Sequence, residues 1–244
     1  WFSIAELKVL APYEGVAIDV TTNPTDQTVG SGTSATFGPV VASPVGVPVD
    51  RMTFQWQRKG PGDADFADIA GARSASLTTR LLSPADTGTQ YRCKFVLSGV
   101  AAFSAAASVT VTSESTAPTL VGVTFAAGEA LQAKVEFSEP MDAASTLSPA
   151  SYSFTGASAG AAVAGGTLSA DGKVATLNVT GLPQNSDYSL TVNGAKDMAG
   201  NAVASSTVNG HIDFYEVNVA LGGFAYQSSL DFNGASVRVH DGNT

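Results

Sequence analysis

Alternation with a period of two, cut at short intervals by Gly, Pro, Asn and Asp, runs through most of this 244-residue chain. It commits the chain to β-strands, because side chains on a strand point to opposite faces in turn. Met52, Phe54 and Trp56 fall on one face of such a run, with Thr53, Gln55 and Gln57 on the other. Tyr91, Cys93, Phe95 and Leu97 form a second inward set, opposed mostly by Arg92, Lys94 and Ser98. Ala107, Val109 and Val111 alternate with Ser108, Thr110 and Thr112 before the chain enters Ser113–Pro118. That segment is polar and ends in proline, and it reads as a linker.

The pattern then restarts. Val135 and Phe137 face in while Lys134 and Glu136 face out; Ala175, Leu177 and Val179, then Tyr188, Leu190 and Val192, repeat the scheme. Ala170–Lys173 and Pro183–Ser186 carry the Gly, Asp and Asn signals of hairpin turns. A turn or two of helix is expected only near Met141–Leu147, where Asp142 is available as a cap. The predicted class is all-β: two consecutive sandwiches of about 100 residues each.

Composition narrows the function. A net charge of −9 argues against nucleic acid and anionic membranes as partners. No apolar run reaches the ~18 residues needed to cross a bilayer, so membrane insertion is not expected. The two histidines, His211 and His240, stand far apart, and the lone Cys93 has no metal-ligating neighbour in sequence; an enzyme is not expected. Cys93 shares an inward strand face, so it reads as a buried thiol rather than a nucleophile. One cysteine cannot form an internal disulfide, which leaves the redox compartment open. Low charge and strands rich in Ser and Thr suit a secreted bacterial surface protein.

Two carboxylate groupings invite a chemical reading. Glu136, Glu139 and Asp142 are the densest, but glycosidase-like catalysis needs a carboxylate pair facing across a cleft. Glu136 alternates outward and Glu139 precedes a proline, so a solvated edge is expected. Asp197 to Asn201 tempts a calcium reading, yet calcium needs several converging oxygens. A self-capping Asx turn accounts for it more simply.

Gln55-Trp56-Gln57 lies upstream of Asp86-Thr87-Gly88-Thr89-Gln90-Tyr91-Arg92-Cys93, and together they resemble the immunoglobulin core over residues 20–113. The resemblance implies a strand-C Trp56 packed between sheets, a Tyr91 whose hydroxyl pins the corner before strand F, and a strand-F Cys93. The strand-B region, Ala35–Val40, has no cysteine, so the family's inter-sheet disulfide is missing. Val135–Asp142, Tyr188–Val192 and Lys196–Asn201 resemble the Ig-like modules repeated in bacterial S-layer and adhesin-type proteins, over residues 114–213. In that family such modules are spacers and structural units.

At the ends, Gln227-Ser228-Ser229 and Asp241-Gly242-Asn243 resemble the opening of a discoidin-type, fucolectin-like carbohydrate-binding domain. Phe2–Leu10 resembles its closing strand. The division implied is 1–19 (closing strand of a discoidin-like domain), 20–113 and 114–213 (the two Ig-like sandwiches), and 214–244 (start of another discoidin-like domain). The fold expected is thus tandem Ig-like β-sandwiches with partial β-sandwich, discoidin-like ends. The family's structural calcium would fall to Asp241 and Asn243 in one copy and Glu6 in the other; Arg238 stands where an upstream ligand, often Asn, is usual. The family's sugar-reading residues would lie outside this sequence, and His240 reads as a surface or strand-end histidine. The opening on Trp1 and the ending on Thr244 lead us to expect a stretch cut from something longer. Phe2 to Glu6 also mimics a processed type IV pilin, but Lys8, Pro12 and Asp19 break the long apolar helix that a pilin needs.

The leading expectation is a non-catalytic part of an extracellular or cell-surface bacterial protein. Its Ig-like pair would space modules that bind a glycan or cell-surface polysaccharide, with calcium confined to the discoidin-like parts. One alternative is a structural subunit of a filament or S-layer that assembles with copies of itself by sandwich packing or strand exchange. Another is an accessory region of a polysaccharide-degrading enzyme.

Overall fold

The computed structural model describes residues 17–45, 52–97, 99–126, 131–183, 185–212, 229–230 and 236–237. The chain divides into two units, Trp1–Thr116 and Ala117–Thr244, each with its own apolar core. The division falls inside the segment that sequence marks as a linker.

The strands of the first unit are β1 (Ala17–Thr22), β2 (Gln27–Gly30), β3 (Thr36–Phe37), β4 (Val41–Val45), β5 (Thr53–Lys59), β6 (Ala67–Asp68), β7 (Leu77–Thr78), β8 (Gln90–Leu97), β9 (Val100–Phe103) and β10 (Ala107–Thr112). The main sheet runs β2-β10-β8-β5-β6, with β9 added to β8; β1 pairs with β4 and β3 with β7. Alternation in β8 is strict, with Tyr91, Cys93, Phe95 and Leu97 all buried. Register sets Trp56 opposite Cys93 and Phe54 opposite Phe95, so the two inward sets merge into one core.

Two features of this unit were not foreseen. Gln57, placed on the polar face by its period, is 8% exposed, because Asp68 and Arg92 close over its amide. Gly38 has φ +97, and a Cβ there would meet the Ala75 carbonyl oxygen at 2.7 Å. Only glycine suits that position.

The second unit contains β11 (Leu120–Ala126), β12 (Gln132–Phe137), α1 (Ala143–Thr146), β13 (Tyr152–Thr155), β14 (Ala162–Leu168), β15 (Val174–Thr180), β16 (Ser186–Val192) and β17 (Ser206–Ile212). A short antiparallel pair, β18 (Ser229–Leu230) and β19 (Ser236–Val237), follows. Sheets of order β11-β12-β15-β14 and β13-β16-β17 enclose a core of small aliphatic side chains such as Ala133, Val135, Ala175, Leu177, Leu190 and Val192. Ser169 to Lys173 makes the expected hairpin between β14 and β15, with Gly172 at φ +73.

Pro183–Ser186 is not a hairpin. It carries the chain from β15 in one sheet to β16 in the other, with Leu182 buried beside it. Turn residues announce a reversal, and they do not say which sheet receives the next strand. The brief helix α1 forms where expected, capped by Asp142. Among the described residues no helix is long and apolar enough to cross a membrane.

Candidate functional site

Trp56, Tyr91 and Cys93 all lie in the core of the first unit. Trp56 is fully buried and its Nε1 donates to the Ser74 carbonyl at 2.9 Å, which satisfies the indole N–H where water cannot reach. The strand-B cysteine of the immunoglobulin pattern is absent, and Phe37 from that strand is fully buried. Its ring stands 4.7 Å from Tyr91 and 6.5 Å from Trp56, centroid to centroid. Burial pushes the Cys93 thiol up to about 11. At neutral pH it is therefore a thiol, and it acts as a small apolar side chain.

The corner before β8 is fastened by Asp86. Its Oδ2 accepts from the Ser83 N–H and hydroxyl, and its Oδ1 accepts from Arg80 Nη2 at 2.6 Å. Burial works to raise the Asp86 pKa, but these donors outweigh it and hold the carboxyl below its ordinary value. The Tyr91 hydroxyl stands beside the Arg58 side chain, while burial raises its own pKa. Arg58 in turn approaches Asp86 at 3.9 Å.

In the second unit the three clustered carboxylates have separate fates. Glu136 is exposed on β12, and Asp142 is engaged in the cap of α1. Glu139 has a carboxylate oxygen within 4.8 Å of one on Asp197. Asp197 is 2% exposed. Its Oδ1 accepts from the backbone N–H groups of Ala199, Gly200 and Asn201, and its Oδ2 accepts from the Asn201 amide at 2.8 Å. This is the Asx turn that the sequence suggests, and both oxygens serve it.

A groove of about 420 Å³ lies on the β16–β17 sheet, lined by Asp187, Tyr188, Ser189, Asn209 and Gly210 among others. The Tyr188 ring lies against Gly210, where any Cβ would sit 2.6 Å from its hydroxyl. Asp187 pairs with His211 Nδ1 at 2.8 Å, and both side chains are largely in solvent.

Sequence reasoning missed a built arrangement on the outward face of β5, β8 and β9. The Arg92 guanidinium carbon stands 4.1 Å from the Phe66 ring centroid and 4.2 Å from that of Phe103. Its Nε donates to Gln57 Oε1 at 2.8 Å, and Gln57 Nε2 donates to Asp68 Oδ1 at 2.7 Å. Next to it a groove of about 450 Å³ is lined by Gln55, Asp68, Arg73 and Lys94, with Met52 and Phe54 of the core-facing side at its edge. Periodicity marks Arg92 and Lys94 as outward. It carries no sign that Phe66, from the loop before β6, and Phe103, from β9, close on Arg92.

Glu6, Asp241 and Asn243, the calcium ligands implied at the ends, lie outside the described residues. So do Arg238 and His240.

Residues 105–215 match the family model of the bacterial Ig-like domain. The match starts just before β10 of the first unit and covers the whole β11–β17 sandwich. No curated protein matches the chain. Among solved structures, the N-terminal part of the bacterial S-layer protein SbsC is 21% identical, over 51% of this chain and 33% of that one, with a TM-score of 0.37. Domains 1–6 of the surface layer protein SbsC are 26% identical over 40% and 14%, with a TM-score of 0.36. Immunoglobulin domains 1–5 of Sidekick-1 are 16% identical over 81% and 41%, with a TM-score of 0.31. The chain spans less than half the length of each of these structures. The fold is all-β and Ig-like, and the immunoglobulin resemblance of the sequence stands at that level.

Proposed function

We propose that the chain is a non-catalytic, Ig-like stretch of a secreted bacterial surface protein, a spacer that carries binding modules for a glycan. The match of residues 105–215 to the bacterial Ig-like domain carries this reading. The polar groups of the second unit support it, because the buried Asp197 and the capping Asp142 fasten loops. A buried, protonated Cys93 suits a scaffold in the same way. The division at the end units and the calcium ligands Glu6, Asp241 and Asn243 belong to this proposal through the discoidin resemblance alone.

The test is made on the producing bacterium. An antibody against the 244-residue chain should label intact cells or their medium, and brief treatment with an external protease should remove the cell-bound signal. Signal that stays protected until the cells are lysed would overturn the surface assignment.

A further inference from the structure

We propose that the outward face of β5, β8 and β9 binds an anionic polysaccharide, with Arg92 as the fork that reads a carboxylate or sulfate and Lys94 and Arg73 as flanking charges. This goes beyond the spacer reading, since it places a binding surface in the first sandwich itself.

Charge distribution is the first support. Residues 51–94 hold seven of the chain's twelve Lys and Arg against four Asp and no Glu, in a protein of net charge −9. Of these, Arg58 and Arg80 are engaged by Asp86, and the proposed face draws on Arg92, Lys94 and Arg73. Cations gathered on an otherwise acidic chain create a local field that favours an anionic partner. Arg92 is also prearranged. Two aromatic rings hold its guanidinium and Gln57 ties back its Nε, while among the described residues its two Nη groups have no hydrogen-bond partner. A planar fork fixed in this way matches a carboxylate or sulfate bidentately and loses little freedom on binding.

Lys94 follows two residues along the same strand, about 7 Å further on the same face, and Arg73 shares its groove. Neither has an ion-pair partner among the described residues. Gln55 Nε2 is tied to the carbonyls of Ile69 and Trp56, which leaves its Oε1 to accept from a sugar hydroxyl. Asp68, the one carboxylate lining the groove, is engaged by Gln57.

The same face argues against other macromolecules. Its large exposed apolar side chain is Phe103 at 43%, little for the apolar centre of a protein interface but suited to one sugar ring. Nucleic acid carries a dense charge that a chain of net −9 repels overall; a polysaccharide spaces its anions more widely.

The intact 244-residue chain is titrated by affinity electrophoresis and calorimetry with polygalacturonate, heparin, neutral dextran and single-stranded DNA. Saturable binding to polygalacturonate or heparin is expected; which of the two is tighter tells carboxylate from sulfate. Dextran should show none and DNA should be weaker. Arg92→Gln and Arg92→Lys should each weaken binding at least about tenfold, because a charged hydrogen-bonding pair is lost or its fork is replaced by a point charge. Lys94→Gln with Arg73→Gln should act in the same direction, and Lys173→Gln in the second unit should change nothing.

Absence of saturable binding, an Arg92→Lys variant equal to the parent, an equal loss in Lys173→Gln, or DNA as the tightest ligand would each overturn the proposal. If Arg92→Gln lowers the melting temperature, the double variant at the exposed Arg73 and the half-buried Lys94 decides alone. Failure here leaves the spacer reading intact, because surface location is measured separately on cells.

Discussion

The two units solve the same problem, closing a β-sandwich, with different materials. The first gathers its core around large rings: Trp56, Phe37 and Phe95 are all fully buried, with Tyr91 against them. In the second the fully buried positions are mostly Ala, Val and Leu, and Tyr152, Phe154 and Tyr188 stand at 8–9% exposure nearer the rim. Its loops are locked by carboxylates, Asp197 inside one turn and Asp142 at the start of α1. Stability in the first unit is thus concentrated in a few large rings. In the second it is spread over many side chains and a few polar fasteners.

The hardest blow to that contrast is Trp56→Ala. Removing a fully buried Trp should cost the first unit about 3–5 kcal/mol. Cys93, the chain's single cysteine, sits opposite it on β8 and reports the loss directly. With Ellman's reagent the native thiol should react very slowly, and the variant about two to three orders of magnitude faster at the same pH. The unfolding transition of the second unit should not move. Loss of both transitions together would mean that the two cores are not separate.

Asp197→Ala tests the other side. It removes the carboxylate that accepts from the Ala199, Gly200 and Asn201 N–H groups and from the Asn201 amide at a site 2% exposed, while the Gly200 N–H keeps a second acceptor, the residue 197 carbonyl at 3.3 Å. We expect the second unit to lose about 2–3 kcal/mol, with Cys93 labelling unchanged. A loss well below 1 kcal/mol would show that the loop rehydrates freely, and the idea of polar fasteners would fail.

Acid should separate the units more gently. The Asp86 pKa is lowered in the folded state, against the pull of burial, by Ser83 and Arg80. Its contribution is therefore complete above the ordinary carboxylate pKa of about 4 and is lost as pH falls through its own lower value. The melting temperature of the first unit should exceed that of an Asp86→Asn variant at pH 6. The difference should close as the pH is taken down through the acid range. A difference that holds or widens in acid would mean that Asp86 does not act through its charge.

Much of this was legible in the chain. Alternation gave β8 and β10 residue by residue, and the immunoglobulin resemblance of Trp56, Tyr91 and Cys93 implied the one core in which all three lie. The Asx turn at Asp197 and the cap at Asp142 follow from what short polar side chains do to nearby N–H groups, which is local chemistry. What stayed hidden depends on contacts across the fold. Period two puts Gln57 outward, but only the arrival of Asp68 and Arg92 from β6 and β8 buries it. The Phe66–Arg92–Phe103 stack joins three separate segments, and no spacing rule connects them. Pro183–Ser186 looks like any hairpin turn until the strand order assigns its two ends to different sheets.

The smallest expected effect concerns Asp142, and it asks how much a single local fastener is worth within a spread-out core. Asp142 Oδ2 accepts from the Ser145 N–H at 2.9 Å, and the Ser145 hydroxyl donates back to the Asp142 carbonyl. The same hydroxyl oxygen accepts from the Lys196 N–H at 3.0 Å, so this four-residue helix is stitched to the strand end that leads into the Asp197 turn. Asp142→Ala removes only the first of these bonds, and an N-cap of this kind is worth about 1 kcal/mol. Asp142→Asn and Asp142→Ser keep an acceptor and should recover most of the loss. Denaturant titration followed at the second unit's transition can resolve that step with an unchanged slope. A loss several times larger, unrelieved by Asn or Ser, would mean that the cap, α1 and the Asp197 turn behave as one cooperative lock. The second unit would then resemble the first, its stability gathered at one place.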